Sequence, residues 1–382
     1  MNPRCRYSEQ EIIKRISSWC LKNTTASLST EIEADTLFFE VDERWEHRLI
    51  LWREINPFVK EHIGVSDLYP DELNARLTIR QLAKQLTSTP LETEQPPHSD
   101  HFPENKIKDP TLFILGVPRS GTTLFRTLLT GHPLLNAPPE LHLLGYNTMK
   151  ARERKIVDAG PMWKLYGLAQ TLAEQLNMSI GEAFIYVSNL TYRDIPIHKL
   201  YQLIHSTSSK PILIDKTPSY IRNINIIASA ERIFEEPKYI HLVRHPCAVT
   251  DSMMRLKEAD VLFQNLDTFH DMENMWLERN RTAIAFLETI PGKRKFLIRY
   301  EDLIQNTEQK MHELCNFIGI NFSEAMLTPY SGNRLIDGIG DPNLKTRNNV
   351  DHTLVDAWRA RVDTRHLSDD SRELAIHFGY QL

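Results

Sequence analysis

Cysteine is scarce and scattered: four residues in 382, Cys5, Cys20, Cys247 and Cys315, with no Cys-x-x-Cys pair and no metal-ligand spacing. That excludes a disulfide framework and a zinc ribbon, and leaves reduced thiols of a cytoplasmic protein as the expectation. Long apolar runs are missing too. None approaches the roughly 20 residues that span a bilayer, and the N-terminus (Met-Asn-Pro-Arg-Cys-Arg-Tyr) lacks the apolar stretch of a secretory signal. No membrane association is expected. Nor is there a surplus of charge of one sign. The formal net charge of −5 argues against a general binder of nucleic acid or anionic membranes, so any anion site must be local.

What is present is enough for a full core. With 41% hydrophobic and 25% charged residues, the chain can build one large domain and a smaller one. Residues 1–86 read as helical (Glu11–Leu21, Trp45–Ile55, Pro57–His62, Ile79–Leu86), a small all-α N-terminal domain. Residues 87–110, rich in Pro, Thr, Glu, His and Asp, read as an exposed linker. From residue 111 to 382, short apolar runs at Leu112–Leu115, Pro211–Ile214, Tyr239–Val243 and Lys295–Ile298 alternate with amphipathic stretches at Trp163–Leu176, Ile221–Phe234, Thr268–Glu288 and Thr307–Ile318. Buried strands separated by helices predict an α/β domain with a P-loop-like parallel sheet flanked by helices. In such sheets ligands bind at the carboxyl ends of the strands.

The most informative segment is Leu112-Phe-Ile-Leu-Gly-Val-Pro-Arg-Ser-Gly-Thr-Thr-Leu124. An apolar strand stops at Gly116, a turn follows with Pro118 and Gly121, and a helical pattern runs from Thr122 to Leu129. Strand, tight loop and helix N-terminus together aim backbone N–H groups at one anionic group. The template is G-x-x-x-x-G-T-T, a Walker A loop with Thr122 in place of the lysine that holds the β- and γ-phosphates of a triphosphate. Arg119 is the substitute cation.

A second basic cluster, Arg244-His-Pro-Cys-Ala-Val-Thr-Asp-Ser252, follows the strand ending at Val243. Arg244 falls at the strand's carboxyl end and Ser252 eight residues on, so a guanidinium and a hydroxyl can converge on a second phosphate site. Pro-Arg-Ser-Gly-Thr-Thr after one strand and Arg-His-Pro with that serine after another resemble the two cofactor motifs of sulfotransferases that use 3′-phosphoadenosine-5′-phosphosulfate (PAPS). The resemblance spans roughly residues 110 to 360. It implies that Arg119, Ser120, Gly121, Thr122, Thr123 and Leu124 cradle the 5′-phosphosulfate, and that Arg244 and Ser252 hold the 3′-phosphate. Ile214-Asp-Lys-Thr-Pro-Ser-Tyr220 resembles the family's lysine-bearing segment, and Arg299-Tyr-Glu-Asp-Leu303 its R-Y-E-D-L segment, which places Tyr300 near the nucleotide. Lys345 and Arg347, in a late glycine-rich loop, are candidates to add to the 3′-phosphate site. Sulfuryl transfer needs no divalent metal bridging phosphates, so the lost Walker lysine is coherent and no metal is expected. Within the family the chain looks closest to sulfotransferases of bacterial natural-product pathways, including domains embedded in polyketide synthases. The stretches carrying this are Pro138-Pro-Glu-Leu-His-Leu-Leu144, the Asp-Lys-Thr-Pro segment, and Gly340-Asp-Pro-Asn-Leu-Lys345 followed by Asp356-Ala-Trp358.

An acceptor hydroxyl must lose a proton as its oxygen attacks sulfur, while negative charge develops on the leaving oxygen. Glu140 resembles the catalytic glutamate of tyrosylprotein sulfotransferases, with His142 as the rival base. Lys216 and Arg119 are the cations for the developing charge. The implied acceptor is a hydroxyl of a small metabolite or of a carrier-tethered acyl group, with a carrier protein or synthase as partner. The N-terminal region resembles an acyl or peptidyl carrier at Phe38–Trp45 and Leu77–Leu86, but Asp42 is followed by Glu43 where a carrier has the serine for phosphopantetheine. Two other readings stand beside the enzyme: a P-loop kinase-like nucleotide-binding protein, disfavoured by Thr122, and an inactive scaffold that docks a carrier.

Overall fold

The computed structural model describes residues 102–159, 162–257, 268–329 and 355–382, together with residues 10, 11, 13 and 14 of an early helix. The N-terminal helices other than those four positions, the carrier-like stretches, and Lys345 and Arg347 lie outside the described residues. The described residues divide between two compact units, one containing 148–196 and the other 102–147 with 197–382.

The larger unit opens with strand β1 (Thr111–Leu115), helix α1 (Thr122–Thr130) and the short strand β2 (Leu135–Asn136). The smaller unit holds α2 (Met149–Ala159), a 3₁₀ turn (Met162–Leu165), α3 (Tyr166–Leu176) and α4 (Ile180–Tyr192). Helix α4 starts at a capping box in which Ser179 and Glu182 satisfy each other's backbone N–H groups. Arg152, fully buried, donates to the Lys164 carbonyl at 3.0 Å and ties α2 to the 3₁₀ turn.

The chain then returns to the larger unit with α5 (Ile197–Thr207), β3 (Ile212–Lys216), α6 (Ile224–Ile233), β4 (Lys238–Val243) and α7 (Pro246–Lys257). It ends through α8 (Phe269–Glu288), β5 (Lys295–Arg299), α9 (Tyr300–Gln305), α10 (Thr307–Ile318) and α11 (Asp369–His377). The five strands form one parallel sheet in the order β2-β3-β1-β4-β5. All five residues of β1 are buried, as a central parallel strand covered on both faces must be. Its alternate residues serve opposite faces. Leu112 and Ile114 join a core with Phe125, Leu128, Ile240, Leu242 and Ile298. On the other face Phe113 stacks on Tyr239 and meets Phe234 edge-on.

The four expected strands are all present. β3 runs two residues past its expected end, so Asp215 and Lys216 lie inside the strand. β2 is an addition, too short at two residues to show any alternation in sequence. The helix expected from Ile221 starts at Ile224, behind a 3₁₀ turn at Pro218–Arg222 whose first position is proline. The end of the linker segment is not free of packing. Ile107 is buried, donates to the Ile233 carbonyl and accepts from the Glu235 N–H. Among the described residues no helix is long and apolar enough to cross a membrane.

The next two strands, β2 and β3, lie on one side of β1 and the last two, β4 and β5, on the other, so β1 sits where the strand order reverses. Its carboxyl end therefore opens into the crevice that such sheets use for ligands.

Candidate active site

The loop between β1 and α1 occupies that crevice. Gly121 caps α1 in a left-handed conformation (φ 84°) with no side-chain cap, so the first N–H groups of α1 are left for a ligand. Glycine is required there twice over. A Cβ at residue 121 would run into the ring carbons Cδ2 and Cε2 of Tyr300, and the backbone would be strained as well. Gly121→Ala is therefore expected to displace Tyr300, lower stability by about 1–3 kcal/mol and weaken nucleotide binding. Gly319→Ala is the control: it is equally left-handed (φ 92°) but has open space around it, and should cost only about 1 kcal/mol. Denaturant unfolding of both variants checks the difference; equal losses would mean that the Tyr300 contact contributes nothing.

Arg119 is left-handed too (φ 70°), an uncommon and costly state for a residue with a side chain. Two contacts hold it. Its Nε donates to Ser252 Oγ at 3.1 Å, and its carbonyl accepts from Arg244 Nη1 at 2.9 Å. The two motifs, more than 120 residues apart, thus meet as the sequence implied. The Arg244 guanidinium lies 4.3 Å from the Tyr300 ring centre, and the Trp276 indole donates to the Arg244 carbonyl. Two polar atoms in this cluster are buried without any partner: Ser120 Oγ and Arg244 Nε. Orphaned donors are costly unless a ligand satisfies them. Their chemistry, a hydroxyl and a guanidinium N–H beside free helix N–H groups, suits phosphate oxygens.

The segment after Val243 is braced from the C-terminal part of the chain. Glu301 accepts from the His245 N–H (3.0 Å) and from the Tyr380 hydroxyl (2.8 Å). The His245 ring stacks on Trp358, and Arg361 forks onto Asp251, next to Ser252, at 2.7 and 2.9 Å. Burial pushes Glu301 up and brings His245 down to about 4, so the imidazole is neutral at physiological pH. No local pattern announces the Arg361–Asp251 fork, whose partners are far apart in sequence.

Beside the loop, β3 places Lys216 opposite Ile114 of β1. Its ammonium lies 2.6 Å from Glu140 Oε1, and His142 Nε2 lies 3.2 Å from Glu140 Oε2. His142 Nδ1 in turn lies 3.2 Å from Ser219 Oγ. Lys216 and His142 are buried, whereas the Glu140 side chain keeps 23% of its exposure. Burial alone would raise the Glu140 carboxyl; the Lys216 charge and the His142 contact overcome it and bring the group down to about 2. Burial lowers Lys216 itself, opposed by Glu140. The three candidates therefore form one cluster. Thr122 is buried in the first turn of α1, with Thr123 and Leu124 following it. Two further histidines are engaged elsewhere: His205 contacts Thr111 at the start of β1, and His270 contacts Glu273. Missed by the sequence reading were Ser219, Asp215, Thr217 and Tyr220, of which the last three form a buried network under His142.

The family model described as the sulfotransferase family matches residues 110–324. Among solved structures, the sulfotransferase domain of the Synechococcus PCC 7002 olefin synthase is 36% identical, covers 73% of this chain and 98% of its own, and superposes with a TM-score of 0.68. The sulfotransferase domain from the curacin biosynthetic pathway is 31% identical, covers 73% of this chain and 100% of its own, with a TM-score of 0.67. Among curated proteins, protein-tyrosine sulfotransferase 2 of Gallus gallus is 25% identical over 232 residues, 60% of this chain and 56% of that protein. The chain spans between 55% and 65% of the length of the first curated relatives it matches.

Proposed function

The chain belongs to the sulfotransferase family, and on that premise we propose that it transfers a sulfuryl group from PAPS to a hydroxyl of a small metabolite or of a carrier-tethered acyl intermediate. The observation that carries this reading is the pair of orphaned buried polar atoms, Ser120 Oγ in the loop that leads into α1 and Arg244 Nε of the side chain bonded to that loop. The uncapped N-terminus of α1 follows the loop, and Lys216 lies on the neighbouring strand β3. The similarity to domains of an olefin synthase and of the curacin pathway supports an acceptor from bacterial natural-product assembly, and a synthase or carrier as partner.

PAPS, when bound, supplies the sulfuryl group and a good leaving phosphate. The loop residues Arg119 to Leu124 would hold the phosphosulfate end, and Arg244 with Ser252 the 3′-phosphate, with Tyr300 supporting Arg244 through its ring. Lys345 and Arg347 are proposed as further cations of the same end. Glu140 is the proton acceptor that the geometry favours. Its side chain keeps 23% of its exposure, whereas the His142 side chain is buried at 4%. Paired with Lys216, Glu140 is a weak base. An anion seated on the loop competes for the Lys216 ammonium, and as that ion pair loosens, burial and His142 are left to set the carboxyl at a higher value. Lys216 and Arg119 then face the developing negative charge. No residue in this scheme requires a metal, and the expected compartment is the cytoplasm.

Calorimetry with 3′-phosphoadenosine-5′-phosphate (PAP), the expected product, tests the reading directly. Binding that survives chelator is the expected result. Absence of PAP binding would sink the enzyme reading and favour the carrier-docking scaffold; magnesium-dependent binding of a nucleoside triphosphate in its place would favour the kinase-like one.

A further inference from the structure

Asp215 is a carboxylate with no exposure at all, one residue before Lys216 on β3. Successive residues of a strand point to opposite faces. Lys216 turns to Glu140, whereas Asp215 turns the other way and collects three hydroxyl groups. Thr217 Oγ1 donates to its Oδ1 at 2.9 Å; Tyr201 and Tyr220 donate to its Oδ2 at 2.6 and 2.8 Å. A hydroxyl has one proton to give. Having given it to Asp215, Thr217 and Tyr220 present only lone pairs to what lies beyond. Those lone pairs face backbone N–H groups. His142 donates to Thr217 Oγ1 at 3.4 Å, and Leu143 and Leu144 donate to the Tyr220 oxygen at 3.0 and 3.4 Å.

Three consecutive N–H groups of the segment that carries Glu140 and His142 are thus held, through two hydroxyls, by one carboxylate. The turn they hold is not a relaxed one: His142 is left-handed (φ 50°), a state that needs its surroundings to impose it. From this we infer that Asp215 is a positioning residue, which through Thr217 and Tyr220 fixes the left-handed turn at His142 and so aims the Glu140–His142 pair. The inference rests on the proposed reading of that pair as the proton-accepting site. Burial pushes the Asp215 carboxyl up to about 6 against the pull of its hydroxyl partners and Lys216, so the site maintains an ionised acceptor at a real cost. Asparagine is a poor replacement. Its amide NH2 would face either Thr217, whose own hydroxyl proton then lacks an acceptor, or the tyrosines, where the Tyr220 oxygen already accepts two N–H groups.

The experiment compares Tyr220→Phe, Tyr201→Phe and Asp215→Asn with the parent protein. Turnover is counted per PAP-binding site, and the His142 ring is followed by nitrogen-detected NMR, assigned with His142→Gln. Tyr220→Phe keeps the ring and removes only the hydroxyl, so it is expected to fold. It should shift the His142 ring signals and lower turnover per site by about 10–100-fold, with PAP affinity changed by less than about threefold. Tyr201→Phe touches Asp215 but none of the three N–H groups, and its effect should be clearly smaller. If Asp215→Asn does not fold, Tyr220→Phe decides alone. A merely structural network would lower the melting temperature and the number of PAP sites but leave turnover per site unchanged; that result overturns the inference, as do unshifted His142 signals. The NMR arm needs no reaction, so it still reports on the turn if no sulfuryl transfer is found, and the failure of the functional reading is told apart from the failure of this one.

Discussion

Arg244→Ala should weaken PAP binding by about 2–4 kcal/mol, a loss on the order of 30- to 1000-fold, while the protein remains folded. The size follows from what the side chain does. Its Nε is buried without a partner, which leaves that N–H for a phosphate oxygen. Its Nη1 holds the Arg119 carbonyl, and its plane lies over the Tyr300 ring. Truncation would therefore remove a charge-assisted contact and also release the tether on a left-handed residue of the β1–α1 loop. The Trp276 contact to the Arg244 carbonyl survives, because it uses only the backbone. Arg244→Lys separates the two effects. It keeps the charge but loses the planar fork, so affinity should fall by an intermediate amount with a similar dependence on salt. Calorimetry at two ionic strengths, with unfolding measured in the absence of nucleotide, checks both variants. An affinity within about threefold of the parent for Arg244→Ala would remove this residue from the nucleotide site.

The residues that were legible in the sequence are those whose partners lie close along the chain or whose geometry is local. The β1–loop–α1 unit is contiguous, so apolar run, glycine spacing and helix start identify it together. Helix α10 was delimited correctly at Thr307–Ile318 because its amphipathic pattern ends at Gly319, which is left-handed. Lys216 was visible from its segment, but its pairing with Glu140 joins residues 76 apart, brought together by the pairing of β2, which precedes Glu140, with β3. The same holds for Asp215. Buried aspartate beside an ion-paired lysine has no signature in a string of letters, and the tyrosines that satisfy it come from α5 and from the turn after β3. The left-handed states of Arg119 and His142 are likewise not legible, since positive φ is uncommon for any residue with a side chain and the contacts that hold these two are tertiary.

Glu140→Gln is the variant expected to do most damage to chemistry with least damage to cofactor binding. If Glu140 accepts the acceptor's proton, the amide has no basic oxygen to replace it, and turnover per PAP-binding site should fall by about 100- to 10,000-fold. PAP affinity should not fall, since no phosphate contact is assigned to Glu140 and its loss frees the Lys216 ammonium for the bound anion. Stability should change in a way that pH exposes. The carboxyl stands at about 2 in the folded chain against an ordinary value of 4.5, so its contribution is fully present above 4.5 and is lost as pH falls from there toward 2. Lys216 counts against it, because burial lowers the ammonium and cancels part of the gain. In the Gln variant the acid-dependent loss between those values should shrink, and Lys216, buried beside a neutral amide, should lower stability at neutral pH. Turnover is for that reason counted per titrated site and well below the melting temperature. Retained turnover in Glu140→Gln with loss in His142→Gln would pass the proton to the imidazole and leave Glu140 as the group that orients it. Loss in both would mark the pair as one unit, as their 3.2 Å contact and the shared turn beneath them lead one to expect.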